Sequence, residues 1–181
     1  MISPRNDLLL LAGKVLTLLM QIALAIGAAA VVLAFLGVAF FAGDIDAAIR
    51  AEFGPGITAM PTASVLGLLA LALLFVAALF AFLGKLRGII ASVAEGDPFV
   101  PENADRLTAM AWLMVGVYVL AGMAVLVASL VAEWASQFEE IRFAGTVGFD
   151  LGSILLILTL FILARVFRQG AAMRADLEGT V

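Results

Sequence analysis

The chain has 181 residues, of which 65% are hydrophobic and 13% charged, with a formal net charge of −4 and a mean hydropathy of +1.19. Soluble domains run at about 45–50% apolar and about 25% charged, so the composition excludes an ordinary water-soluble fold. Cysteine and histidine are both absent, which excludes disulfides, thiolate metal sites and cysteine nucleophiles, together with the commonest metal ligand and general base. No basic cluster is present of the kind that binds nucleic acid directly.

Residues Met1–Lys14 carry Arg5 and Lys14, and Val15–Gly43 then runs for 29 residues without a charge. As a helix this run is ~43 Å long against a hydrocarbon core of ~30 Å, so it spans with tilt or projects beyond the bilayer. It is far longer than the apolar core of a signal peptide, which is about 7–15 residues, and Phe40 and Phe41 spoil a small-residue cleavage site. The spacing predicts a retained first helix over 15–43. Ala23 with Gly27, and Ala30 with Ala34, are small pairs that permit close helix approach. Gln21 reads as a hydrogen bond within a bundle.

Asp44–Thr62 is the next loop. Its Ile45, Ala48, Ile49 and Phe53 fall on one face, the pattern of a short helix resting on the membrane surface, until Gly54-Pro55-Gly56 breaks it. A second helix is expected over 62–84, since no charge occurs between Glu52 and Lys85. Lys85–Arg106 is the polar joint in the middle of the chain. Leu86, Ile89, Ile90 and Val93 extend a helical pattern into it, and Gly96 is a natural helix stop. Two starts for the next helix compete: Asp97 as a cap with Pro98 in the first turn, or Pro101 with Glu102 and Asp105 near the positive end of the helix dipole.

A third helix is expected over 107–132, with Trp112 and Trp134 near its ends as interfacial aromatics. Glu133–Phe143 reads as a second outer amphipathic segment. For the fourth helix, Leu151–Ala164 offers 14 uncharged residues, ~21 Å, too short to span; extension back to Ala144 gives 21 residues. The predicted helix over 144–164 places Asp150 inside the span, with Thr146 and Ser153 on the same face and Arg142 about two turns away. A carboxylate at that depth should face other helices or a wet cleft, so Thr146, Asp150, Ser153 and Arg142 form a candidate intramembrane polar site. The competing reading caps a later-starting helix with Asp150 in the headgroup layer. Residues 165–181 form a tail in which Arg165 and Arg168 resemble an anchor for anionic lipid.

Basic residues fix an expected orientation. With both termini and the joint in the cytoplasm, that side holds Arg5, Lys14, Lys85, Arg87, Arg106, Arg165, Arg168 and Arg174, and the other holds only Arg50 and Arg142. The expected fold is therefore an all-α integral membrane four-helix bundle, one domain over 1–181, with both termini inside. No serine–base pair, zinc-binding HExxH or phosphate-cradling loop is present, so neither catalysis nor a cofactor or metal site is expected.

Two stretches resemble one family. Gly96-Asp97-Pro98-Phe99-Val100-Pro101-Glu102-Asn103-Ala104-Asp105-Arg106-Leu107 resembles the "G-x-P-F…N-A-x-R-L" joint of the bacterial membrane proteins grouped as "domain of unknown function 2975". The end of the chain, Phe167–Val181, resembles that family's closing "G-x-x-L-R-x-E-x-D-L-T-V", more loosely, because Ala175 replaces the usual acid and Glu178-Gly179 lengthens the step to Thr-Val. Members of the family often occur beside a small helix-turn-helix regulator. The resemblance thus implies a candidate cytoplasmic partner surface of Asp97, Pro98, Phe99, Asn103, Arg106, Arg168 and Arg174, on which such a DNA-binding regulator would be held at the membrane. It is equally compatible with a tail folded back on the joint through Arg174 and Glu102 or Asp105. The alternatives are a small transporter or channel subunit working as a homo-oligomer around Asp150, and a structural subunit of a larger membrane complex.

Overall fold

The computed structural model describes residues 4–138 and 151–178. Within them the protein is all-α: α1 spans Pro4–Phe53, α2 Thr62–Ala94, α3 Pro101–Ala135 and α4 Leu151–Glu178, and no strand occurs among the described residues. All four helices are long and apolar enough to cross a bilayer. Helices suit that medium because each satisfies its own backbone hydrogen bonds. Their outward surfaces are apolar too: Leu9, Phe40, Leu126 and Leu151 are each 72–79% exposed, side chains that lipid solvates and water does not. The chain is a multi-pass membrane protein, with four such helices among the described residues.

Each helix runs past its apolar stretch. The first extends from Pro4 to Phe53, but its regular path is interrupted at Phe41 (φ −118°, ψ 19°). Beyond that kink lies the amphipathic segment expected on the membrane surface. It is tied to the following loop through Asp46, whose carboxylate accepts from the Met60 N–H at 3.0 Å and pairs with Arg50 one turn on at 2.9 Å. The second helix continues ten residues past Gly84, to Ala94, following the apolar pattern of Leu86, Ile89, Ile90 and Val93. The third begins at Pro101, the later of the two starts. The fourth is helical to Glu178, so the stretch after Ala164 is helix rather than a free tail for at least 14 residues. Its Ala, Arg, Gln, Met, Leu and Glu are strong helix formers, and Gly170 is the weakest position. Residues 144–150, where the fourth helix was expected to begin, lie outside the described residues.

Two glycines end helices in the left-handed region, Gly54 (φ 98°) after α1 and Gly96 (φ 84°) after α2. At Gly96 the Asp97 N–H returns to the Ser92 carbonyl at 3.0 Å and the Gly96 N–H to the Val93 carbonyl at 3.1 Å. That bond pair satisfies the helix's last carbonyls and turns the chain sharply.

The chain packs as two units. One comprises Met1–Ala25, Ala78–Val117 and Phe149–Val181. Its core joins Leu107, Met110 and Ala111 of α3 to Leu160 and Ala164 of α4, with Phe82, Leu86 and Ile89 of α2 packed against them. The alanines at 111 and 164 allow α3 and α4 to approach closely, which in a membrane substitutes dispersion contact for the missing hydrophobic drive. From α1, Gln21 donates to the Phe80 carbonyl in a long bond of 3.4 Å, and Gly13 meets Ile90.

The other unit comprises Ile26–Ala77 and Tyr118–Gly148. Here Gly67 lies against Val127, and the α1–α2 loop is clasped to the end of α3. The Gln137 amide donates to the Thr58 hydroxyl at 2.6 Å and accepts from the Thr58 N–H at 3.0 Å, while the Trp134 indole N–H donates to the Thr58 carbonyl at 3.0 Å. Phe138 stands edge-on to both Phe53 (5.0 Å) and Trp134 (5.1 Å), closing the clasp with aromatic contact.

Candidate functional site

The turn made by Gly96 brings the start of α3 back beside the end of α2, and a polar network fills the junction. Asn103 is its centre. This side chain is fully buried, and its amide N–H groups donate to the Ser92 hydroxyl at 2.6 Å and the Pro98 carbonyl at 2.9 Å. Its oxygen accepts from Arg106 at 2.7 Å, and the same Arg106 nitrogen donates to the Gly88 carbonyl at 3.1 Å. Ser92 in turn donates to the Ile89 carbonyl at 2.9 Å. Among the described residues no buried side-chain nitrogen or oxygen is left without a partner, so this network is fully paired, the condition under which buried polarity rigidifies rather than weakens a junction.

Gly88 belongs to the network through what it lacks. A Cβ there would stand 2.8 Å from the Arg106 Nε and 3.1 Å from its Cζ. The arginine crosses the face of α2 in the space a side chain would fill.

The C-terminal part of α4 completes the site. Phe99, at the tip of the turn, packs against Phe167 with ring centroids 5.4 Å apart, and a Cβ on Gly170 would fall 2.6 Å from the Phe99 ring. Arg174 ion-pairs with Asp97, and Arg168 pairs with Asp105 at 3.3 Å. Both ion pairs are exposed, so they orient the contact more than they stabilise it; such pairs contribute about 0–1 kcal/mol each.

The residues expected to form one partner surface therefore divide. Asn103 is interior and Arg106 half-buried, so they brace the turn. Asp97, Phe99, Arg168 and Arg174 join it to α4, and Pro98 supplies a carbonyl to Asn103. The contact between the C-terminal stretch and the joint uses Asp97 for Arg174, not Glu102 or Asp105, because α4 continues as helix and presents Phe167, Gly170 and Arg174 at i, i+3 and i+7. Of the intramembrane set, Ser153 lies in the first turn of α4 and has a bonding partner; Arg142, Thr146 and Asp150 lie outside the described residues.

Sequence reasoning passed over Ser92 and Gly88, and took Phe167 and Gly170 only as part of the closing stretch, with no contact assigned to them. The signals were there: a serine and a glycine in the helical pattern of α2, and a lone glycine among strong helix formers in α4. Among the described residues no three acidic side chains gather as a metal site would require. The arrangement is a braced turn with charged edges.

The family described as "protein of unknown function (DUF2975)" matches residues 46–181. The chain belongs to the DUF2975 family. The matched region contains α2, α3 and α4 entire and, within them, the whole braced turn with its α4 contact. Searches of curated proteins and of solved structures found no match to this DUF2975 member.

Proposed function

We propose that this protein is a non-enzymatic membrane sensor or membrane partner that holds a small cytoplasmic helix-turn-helix regulator at a bacterial inner membrane. The observation that carries the reading is the continuation of α4 beyond its apolar stretch as a helix seated on the 97–106 turn through Phe167, Gly170, Arg168 and Arg174. Here it presents one firm surface with exposed charge at its edge, joined to segments that cross the bilayer. The imbalance of basic residues supports a cytoplasmic position for this surface. A change in the packing of the crossing helices would be transmitted to the docked helix and from there to a bound regulator.

The test is a pull-down in mild detergent from the native host, with the full chain and with a chain lacking Phe167–Val181. The full chain should retain a small DNA-binding protein that the shortened one loses. Equal retention by both would remove the role of the C-terminal helix. Retention of no such protein by the full chain would remove the reading itself.

A further inference from the structure

A groove of about 430 Å³ opens between α3 and α4, lined by Thr108, Phe161, Ala164, Arg165, Arg168 and Gln169. We infer that it is a binding site for one anionic glycerophospholipid, whose phosphodiester is held by Arg165. Three observations carry this. First, the groove sits at the residue where the apolar run Leu151–Ala164 gives way to charge, the depth at which headgroup phosphates lie.

Second, its charge is uncompensated at one position. Arg168 is engaged by Asp105 at 3.3 Å, whereas among the described residues Arg165 has neither an ion pair nor a hydrogen bond. With the Arg168–Asp105 pair neutral, the groove carries one net positive charge, matched to a singly charged phosphodiester. The planar guanidinium fork can donate two parallel hydrogen bonds to it. The Gln169 amide stands beside it as a further donor. The Thr108 hydroxyl donates to the Ala104 carbonyl at 2.9 Å and serves as wall.

Third, the wall is apolar on the membrane side. Phe161 lies one turn before Arg165 and meets the exposed Trp112 edge-on at 5.6 Å. This ring pair offers a surface to glycerol and the first acyl carbons that a soluble anion cannot use. Another groove of this unit, which contains Lys14 and Glu95, balances its charges and offers no comparable selection. The lipid site stands whether or not a regulator binds.

The test uses native mass spectrometry of the purified full chain in mild detergent. It is titrated with phosphatidylglycerol, with phosphatidylcholine of the same acyl chains, and with inorganic phosphate alone. One phosphatidylglycerol should be retained per chain at about tenfold lower concentration than phosphatidylcholine, and Arg165→Gln should abolish that preference. Lys85→Gln, at the end of the apolar run of α2, should leave it unchanged. Photo-crosslinking of the unaltered chain should place a phosphatidylglycerol probe on the peptide 161–169, a result that needs no variant to fold. Equal retention of the two lipids, an equal loss in Lys85→Gln, displacement of the lipid by millimolar phosphate, or crosslinks confined to other peptides would each overturn the site.

Discussion

The buried amide of Asn103 donates to the hydroxyl of Ser92 at 2.6 Å, joining the start of α3 to the end of α2 across the Gly96 turn. The same side chain serves the Pro98 carbonyl and receives Arg106, so its loss leaves several polar groups unpaired at once. Asn103→Leu should therefore lower stability by about 2–4 kcal/mol, whereas Ser92→Ala, which orphans a single donor, should cost about 1–2 kcal/mol. Unfolding in detergent micelles by denaturant titration checks the order. A leucine variant as stable as the parent would show that the network does not brace the turn.

Gly88 and Arg106 should prove coupled. Gly88→Ala places a methyl group 2.8 Å from Arg106 Nε and must displace a guanidinium held by the Gly88 carbonyl and by Asn103. A glycine-to-alanine change inside a helix ordinarily stabilises by up to about 1 kcal/mol; here the sign should reverse, to a loss of about 1–2 kcal/mol. In an Arg106→Ala background the same change should regain its stabilising sign. Additive effects in the double-mutant cycle would show that the arginine moves aside freely.

Much of the fold was legible because a bilayer leaves few options. Charge-free runs such as Val15–Gly43 and the stretch from Pro61 to Gly84 mark crossings by length alone. Helix ends were unequal: the apolar spacing of Leu86, Ile89, Ile90 and Val93 announced the continuation of α2, whereas α4 continues past Ala164 on ordinary helix propensity, which hydropathy does not register. The turn at Gly96 was readable, since glycine alone suits the left-handed stop. Which acid meets Arg174 was not: Asp97, Glu102 and Asp105 are all within reach of a tail in sequence, and only the continuation of α4 as helix selects Asp97. The inward turn of Asn103 was hidden for a similar reason. A polar residue near a helix start looks like surface until its donors and acceptors can be counted.

The two ion pairs at the edge of the joint should contribute little to stability. The Arg168 and Asp105 side chains are 64% and 78% exposed, and solvent screens them. Asp105→Asn should change stability by no more than about 0.5 kcal/mol, and raising salt to about 1 M should have as little effect. Denaturant titrations at low and high salt check both; a loss above about 1.5 kcal/mol would mean that the pair is part of a larger network.

Packing at Gly170 should matter more than those charges. Alanine there brings a Cβ within 2.6 Å of the Phe99 ring, which already rests on Phe167, and overpacking of this kind costs about 1–3 kcal/mol. The damage should be local, freeing the end of α4 while α2 and α3 stay paired. Spin labels on cysteines introduced at Glu95 and Met173, in a chain with no other cysteine, should show a narrow distance distribution that broadens in Gly170→Ala. An unchanged distribution would mean that Phe99 finds another rotamer at no cost.

The crossing pattern itself can be read from one side of a sealed membrane. Glu95 and Met173 belong to the unit that contains the braced turn, and the joint separates the crossings α2 and α3. Gly56 lies in the connection between α1 and α2. A chain that crosses on α2 must place residues 56 and 95 on opposite faces, and one that crosses on both α3 and α4 must return residue 173 to the face of residue 95. Single cysteines at the three positions should therefore react with an impermeant maleimide in two groups, 95 with 173 and 56 apart. In right-side-out vesicles only the residue 56 variant should label, as the excess of Lys and Arg on the joint and C-terminal side requires. Labelling of 95 and 173 from opposite sides would mean that α3 or α4 does not cross.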